Sequence, residues 1–158
     1  MQMPDVNVLV YAHRSDEVAH AFYRDWVEAT LASPTPFGLS ALVAGGFLRV
    51  VTNPRIYQSP TPIETALAAI DAIARHPNCV HVGPDPDHLS RLSTLCRAVS
   101  AAGKLVADAQ HAAIAMGSAA CWVTRDQDFA RFEPHGLQWL HLVPPAKSPN
   151  GDSDSSMR

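Results

Sequence analysis

Short apolar runs alternate with longer stretches of helical periodicity along most of the chain, and this alternation limits the fold more than any other feature. Val80-His81-Val82, Ala120-Cys121-Trp122-Val123-Thr124 and Gln138 to Val143 are too short for helices and read as strands, the second of them buried. Amphipathic segments lie around them. From Asp16 to Leu31, residues Ala19, Phe22, Tyr23, Trp26 and Leu31 recur at helical spacing, and Ser33-Pro34-Thr35-Pro36 then breaks the chain. Ser40 to Thr52 repeats the pattern with Val43, Phe47, Leu48 and Val51. Asn53-Pro54 stops it, because a residue before proline disfavours the helical region. Further helices are predicted from Thr61-Pro62, from Asp85-Pro86 and over Asp108 to Met116, with prolines suited to first turns and Gly117 to a C-terminal cap. Helices and short strands in alternation predict an α/β fold with a mainly parallel sheet covered by helices. From Pro144 onward the chain turns to Pro, Ser, Asn, Gly and Asp, so residues 1–143 are expected to form the domain and 144–158 a disordered tail.

Composition narrows the class without choosing a function. A chain of 158 residues fits one domain, and 47% hydrophobic with 17% charged residues is ordinary for a globular protein. No apolar run is long enough to span a membrane, and the N-terminus lacks a signal-peptide pattern, so a cytoplasmic location is expected. Cys79, Cys96 and Cys121 are widely spaced and form neither a metal motif nor a disulfide framework. The eight histidines show no zinc-binding spacing. The net charge of −3 means that a nucleic-acid ligand would need a local basic patch, a bound cation or a partner to offset the protein's own field.

Four aspartates carry the chemistry. Asp5 lies in Asp-Val-Asn-Val-Leu, Asp108 in Val-Ala-Asp-Ala-Gln-His, and Asp126 and Asp128 in Thr-Arg-Asp-Gln-Asp-Phe. Asp126 and Asp128 follow a strand directly, where open α/β sheets place their ligands. If the strand of Asp5 neighbours that of Asp126, all these carboxylates point into one crevice. Such an oxygen set suits Mg²⁺ or Mn²⁺, which would activate water toward a phosphate. Taken singly, each has a plainer reading: a helix cap for Asp108, an Asx turn for Asp126 and Asp128, a solvated chain end for Asp5.

The combination, with its surroundings, resembles the PIN-domain family, in particular the VapC-type toxins of bacterial toxin–antitoxin pairs. The matching segments are Asp5-Val-Asn-Val-Leu-Val-Tyr-Ala, Phe47-Leu-Arg-Val-Val-Thr-Asn-Pro-Arg55, Asp108-Ala-Gln-His-Ala-Ala-Ile-Ala and Thr124-Arg-Asp-Gln-Asp-Phe-Ala-Arg-Phe132, in the family's order. The resemblance implies a three-layer α/β/α domain, Mg²⁺-dependent ribonuclease activity, a cognate VapB-type antitoxin and homodimerisation. It implies that Asp5 and Asp108 bind metal, that Asp126 is the further acidic residue and that Asp128 assists. Thr124 matches a hydroxyl that steadies the site, and Asn7 a recurring polar position. The chain departs from the family at Gly46, where many members carry a glutamate, so one carboxylate is missing from its usual place. Close helix packing is the alternative reason for that glycine. Met1-Gln2-Met3-Pro4 is also short and polar for a first strand. Val6 to Tyr11 reads as a strand by pattern alone, whereas the resemblance implies a helix, and the latter is adopted.

Arg14, Arg49, Arg55, Arg125 and Arg131 lie near these motifs and are candidate RNA contacts, since the guanidinium suits bidentate phosphate recognition. Arg49 could instead form an ion pair beneath the site. His111, three residues after Asp108, should share its helix face, where it could position water or simply pack. The leading expectation is a metal-dependent ribonuclease toxin. The alternative is a catalytically weak PIN domain acting by RNA or antitoxin binding. A phosphohydrolase with an aspartyl nucleophile is disfavoured, because Asp5-Val-Asn-Val lacks the second aspartate of the usual pair.

Overall fold

A computed structural model of the chain describes residues 1–145. The tail expected over 144–158 therefore lies, from residue 146 on, outside the described residues. Five strands form one parallel sheet in the order β3-β2-β1-β4-β5, with β1 at Gln2–Pro4, β2 at Phe37–Ser40, β3 at Cys79–Val82, β4 at Cys121–Thr124 and β5 at Trp139–His141. The helices are α1 (Val6–His13), α2 (His20–Ala32), α3 (Ala41–Val51), α4 (Ile63–Ala74), α5 (His88–Ala98) and α6 (Lys104–Gly117), followed by a 3-10 segment at Gln127–His135. Helices α1 to α4 pack on one another, as do α5, α6 and the 3-10 segment. This is the α/β/α arrangement expected, with Trp122, Tyr23, Phe37, Phe47, Phe129 and Phe132 fully buried in the core.

β1 is short, yet it is the central strand. Its neighbours part around it: only Gln2 pairs with β2, at Phe37, whereas Gln2, Met3 and Pro4 all pair with β4. The Gln2 N–H donates toward β2, to Pro36, and the Asp5 N–H donates toward β4, to Val123. By strand alternation the missing N–H of Pro4 falls on the β2 side, where the ladder has already opened. A proline is thus tolerated in a central strand because no partner waits for its N–H.

Several boundaries differ from the sequence reading. Phe37–Ser40 is a strand that the preceding prolines concealed, and Ser40 caps α3 by accepting the Val43 N–H. α2 begins at His20 rather than Asp16, because Arg14, Asp16 and Glu17 are held in loop contacts. Pro62 and Pro86 precede their helices instead of opening them. α6 begins at Lys104, after Gly103 in a positive-φ conformation, so Asp108 is a full turn inside the helix and not its cap. Residues Val6 to Tyr11 are helical.

The two glycines of α3 have different roles. A Cβ at Gly46 would lie 2.6 Å from Val6 Cγ2, whereas one at Gly45 would meet nothing within 4 Å. Gly46 is therefore the point where α3 crosses closely over α1, and valine, stiff at χ1, cannot easily yield. Val6 directly follows Asp5, so the contact also closes the place where a longer acidic side chain would stand. Gly46→Ala is expected to destabilise by about 1–3 kcal/mol through overpacking, despite its better helix propensity. Gly45→Ala is expected to stabilise by about 1 kcal/mol. Urea denaturation of the two variants checks the contrast, and equal shifts would refute it.

Candidate active site

Asp5 stands between the last residue of β1 and the first of α1, so the pairing of β1 with β4 sets where its side chain emerges. The carboxylate is buried, 7% exposed. Its Oδ2 accepts from Thr124 Oγ1 at 2.6 Å and from Asn7 Nδ2 at 2.8 Å. The Thr124 hydroxyl, itself fully buried, accepts in turn from Asn7 Nδ2 at 3.1 Å and from the Asp126 N–H at 2.9 Å. The Arg125 N–H donates to Asn7 Oδ1 at 3.3 Å. Every hydrogen-bonding direction of the threonine hydroxyl is used. Asp5, Asn7 and Thr124 thus form one network tying the ends of the two central strands together.

The carboxylate opens into a crevice of about 480 Å³ lined on one side by α1 and on the other by α6. Lys104, Ala107, Asp108 and His111 face it from α6, the i, i+3, i+4, i+7 stripe of one helix face. The buried alanines 109, 112, 113 and 115 let this helix sit close to its neighbours. Asp126 completes the acidic wall. Its Oδ1 accepts the Asp128 N–H at 2.9 Å, and its Oδ2 accepts Lys104 Nζ at 3.0 Å.

The electrostatics record carboxylates held together without enough opposing charge. Burial pushes the Asp5 carboxyl up to about 6, and the charge of Asp126 adds to this, against the hydrogen bonds of Thr124, Val6 and Asn7. Burial also raises Asp108, helped by the charges of Asp126 and Asp5 and opposed by Lys104. Burial alone would raise Asp126 too, but the Asp128 N–H and the Lys104 ammonium outweigh it and hold that carboxyl low. The donors are all hard oxygens, which fit Mg²⁺ or Mn²⁺. They do not close on a point: among the described residues no three Asp, Glu, His or Cys side chains stand close enough to hold an ion as they are.

The structure thus brings Asp5, Asp108, Asp126, Asn7 and Thr124 together. It places Asp128 apart, exposed and paired with Arg131 at 3.1 Å. Of the five arginines, only Arg49 lines the crevice, and it makes no ion pair among the described residues. Arg14 is a staple: it pairs with Asp16, donates to Ser59 O at 2.9 Å and Thr61 Oγ1 at 3.2 Å, and lies 4.0 Å over the Tyr57 ring. Arg125 stacks over Tyr11 at 4.1 Å, and Arg55 is exposed away from the crevice lining. His111 lines the crevice but its ring stacks on Trp122, and burial lowers its pKa, as for a packed histidine. Glu17, Tyr57 and Lys104 were missed from sequence. The Tyr57 hydroxyl donates to Glu17 at 2.9 Å and is pushed up to about 12 by burial and by Glu17. Lys104 was legible only through the true start of α6, four residues before Asp108.

The raised Asp5 carboxyl has a consequence for stability. A carboxyl with a raised folded-state pKa destabilises the fold when ionised, so the cost is full above about pH 6 and vanishes as the pH falls through 4. In metal-free protein Asp5→Asn is expected to stabilise by about 2–3 kcal/mol near pH 7.5 and by nothing near pH 4. Denaturation across pH measures this, and a pH-independent gain would contradict it.

Comparison with known proteins agrees with this geometry. The PIN domain family model matches residues 3–133. Ribonuclease VapC31 of Mycobacterium tuberculosis is 42% identical over 145 residues, covering 92% of this chain and 99% of the relative. Among solved structures, VapBC2 of Rickettsia felis, bound to a DNA fragment from its promoter, superposes with a TM-score of 0.64 at 17% identity, over 88% of this chain and 96% of that one. VapC20 of Mycobacterium tuberculosis, a sarcin–ricin loop cleaving toxin, superposes at 0.61 and 17% identity, over 91% of this chain and the whole of that one. Parallel strands that part around Asp5, the carboxylates gathered at their ends and a family match over most of the described residues lead to one conclusion: the chain belongs to the PIN domain family.

Proposed function

We propose that the chain is a metal-dependent endoribonuclease and the toxin of a toxin–antitoxin pair, hydrolysing RNA phosphodiester bonds. The observation that carries this is the Asp5–Asp108–Asp126 wall, three carboxylates gathered at one end of the sheet in a crevice of about 480 Å³, with Asp5 and Asp108 raised first by burial and then by neighbouring acidic charge. The ribonuclease names of relatives at 42% identity support it. Asp5 and Asp108 would hold Mg²⁺ or Mn²⁺, with Asp126 as the supporting carboxylate. A hard divalent cation bound there supplies an activated water and neutralises charge developing on the phosphate.

The chain's own residues do the rest. Thr124 and Asn7 fix Asp5 through Oδ2 where it lines the crevice. Arg49, a guanidinium on the crevice wall with no ion pair among the described residues, would meet the RNA backbone. The weak-enzyme alternative draws only on Gly46, and the α3–α1 contact already accounts for that glycine by packing.

A cognate antitoxin fits a separate surface. An apolar groove of about 230 Å³ runs between α1, α2, α3 and α4, lined by Leu9, Val27, Leu31, Phe47, Ile70 and Ile73, with Arg24 and Glu28 at its rim. An amphipathic antitoxin segment would lay its apolar face there. Antitoxin complexes among the structural neighbours support a VapB-type partner. Homodimerisation goes with the same family reading.

RNA cleavage should require Mg²⁺ or Mn²⁺, and Asp5→Asn and Asp108→Asn should each lower it about a hundredfold or more. Equal cleavage by wild type and both variants, or full activity in EDTA, would sink the reading. Leu31→Ala with Ile73→Ala should weaken antitoxin binding by about 2 kcal/mol or more while leaving cleavage intact, as calorimetry with the co-expressed partner would show.

A further inference from the structure

We propose that Lys104 is the resident counter-ion of the acidic crevice. It holds Asp126 while no divalent cation is bound, competes with that cation for the carboxylate, and once displaced meets a phosphate of the RNA. The inference rests on the ribonuclease reading of the same site.

Three observations carry it. First, Lys104 Nζ lies 3.0 Å from Asp126 Oδ2, and among the described residues it is the only Lys or Arg side chain paired with any of Asp5, Asp108 and Asp126. Second, Lys104 lines the crevice one turn before Asp108 on the same face of α6, so it stands over the site and not behind it. Third, its side chain is 73% exposed, so nothing packs the stem in place and the ammonium can swing.

The type of residue matters. A compact ammonium on a flexible stem can exchange one oxygen partner for another at little cost, unlike a guanidinium fork locked on a carboxylate. In the cation-free protein Lys104 supplies the positive charge that Asp126 needs. That need would be removed if Asp126 and its neighbours held a divalent cation instead. The ammonium on α6 would then be free to meet a phosphate of the RNA, in a crevice that Arg49 of α3 also lines.

The test uses the full chain with Lys104→Gln and Lys104→Arg. Calorimetric titration with Mn²⁺ alone should show Lys104→Gln binding the ion about two- to fivefold more tightly than wild type, the scale of an exposed ion pair. With a short single-stranded RNA, Lys104→Gln should raise KM more than it lowers kcat. The slope of log KM against log salt should shrink by about 0.7, one phosphate contact on a single strand. Lys104→Arg should keep KM and the slope near wild type. Mn²⁺ affinity unchanged or weakened in Lys104→Gln overturns the proposal, as does tighter Mn²⁺ binding with KM and salt slope unmoved. If wild type binds Mn²⁺ and cuts RNA while Lys104→Gln matches it throughout, the Lys104 proposal alone fails. If wild type does neither, the ribonuclease reading fails and takes the proposal with it.

Discussion

The structure depends on a buried carboxylate placed at the end of the central strand. Asp5 could be excluded from water only because Thr124 and Asn7 replace part of its hydration, and those two residues reach it only because β1 pairs with β4 in one register. A slip of one residue would turn Asp5 to the other face and leave the Thr124 hydroxyl, fully buried, without its acceptor. Fold and site are therefore one constraint. The network that aims the carboxylate also joins the two strands on either side of the point where the sheet reverses its order.

That arrangement has an electrostatic cost. Three carboxylates stand in one crevice, two with raised pKa values, and hydrogen bonds do not fully offset their burial. A domain of this size has a margin of only about 5–15 kcal/mol, so an uncompensated charge is a large fraction of it. Gly46 belongs to the same balance. The close approach of α3 to α1 leaves no room for a further side chain beside Asp5, and so spares the crevice another negative charge. The packing and the electrostatics at this corner act in the same direction.

Much of this was legible in the sequence, and the failures have physical causes. The alternation of patterns predicted the parallel sheet, because buried strands and amphipathic helices differ in period. The segments around Asp5, Asp108, Asp126, Asn7 and Thr124 marked the residues that the fold brings together. Local pattern misled where tertiary contacts decided. Val6 to Tyr11 is apolar enough for a strand, but its N-terminal end must turn at Asp5, so it is helical. Phe37–Ser40 hid behind prolines that end a loop and not an element. Arg14 looked like a phosphate contact by proximity, yet its partners Ser59 and Thr61 are distant in sequence and could not be foreseen. Lys104 was invisible because the start of α6 was placed four residues late, which removed it from the helix face it shares with Asp108.

The acidic net charge now has a local resolution. A net charge of −3 opposes a polyanion at long range, where screening by salt over roughly 10 Å already weakens it. At contact range the balance is set by groups in the crevice. Arg49, without an ion pair among the described residues, lines the crevice, and Lys104 is paired with the acidic wall. On the proposed reading Lys104 would be freed once a bound cation offset the acidic wall, and the crevice would turn from repelling phosphate to attracting it. RNA would then be admitted when the cation is in place, and the acidity of the whole chain would keep unloaded protein away from bulk nucleic acid.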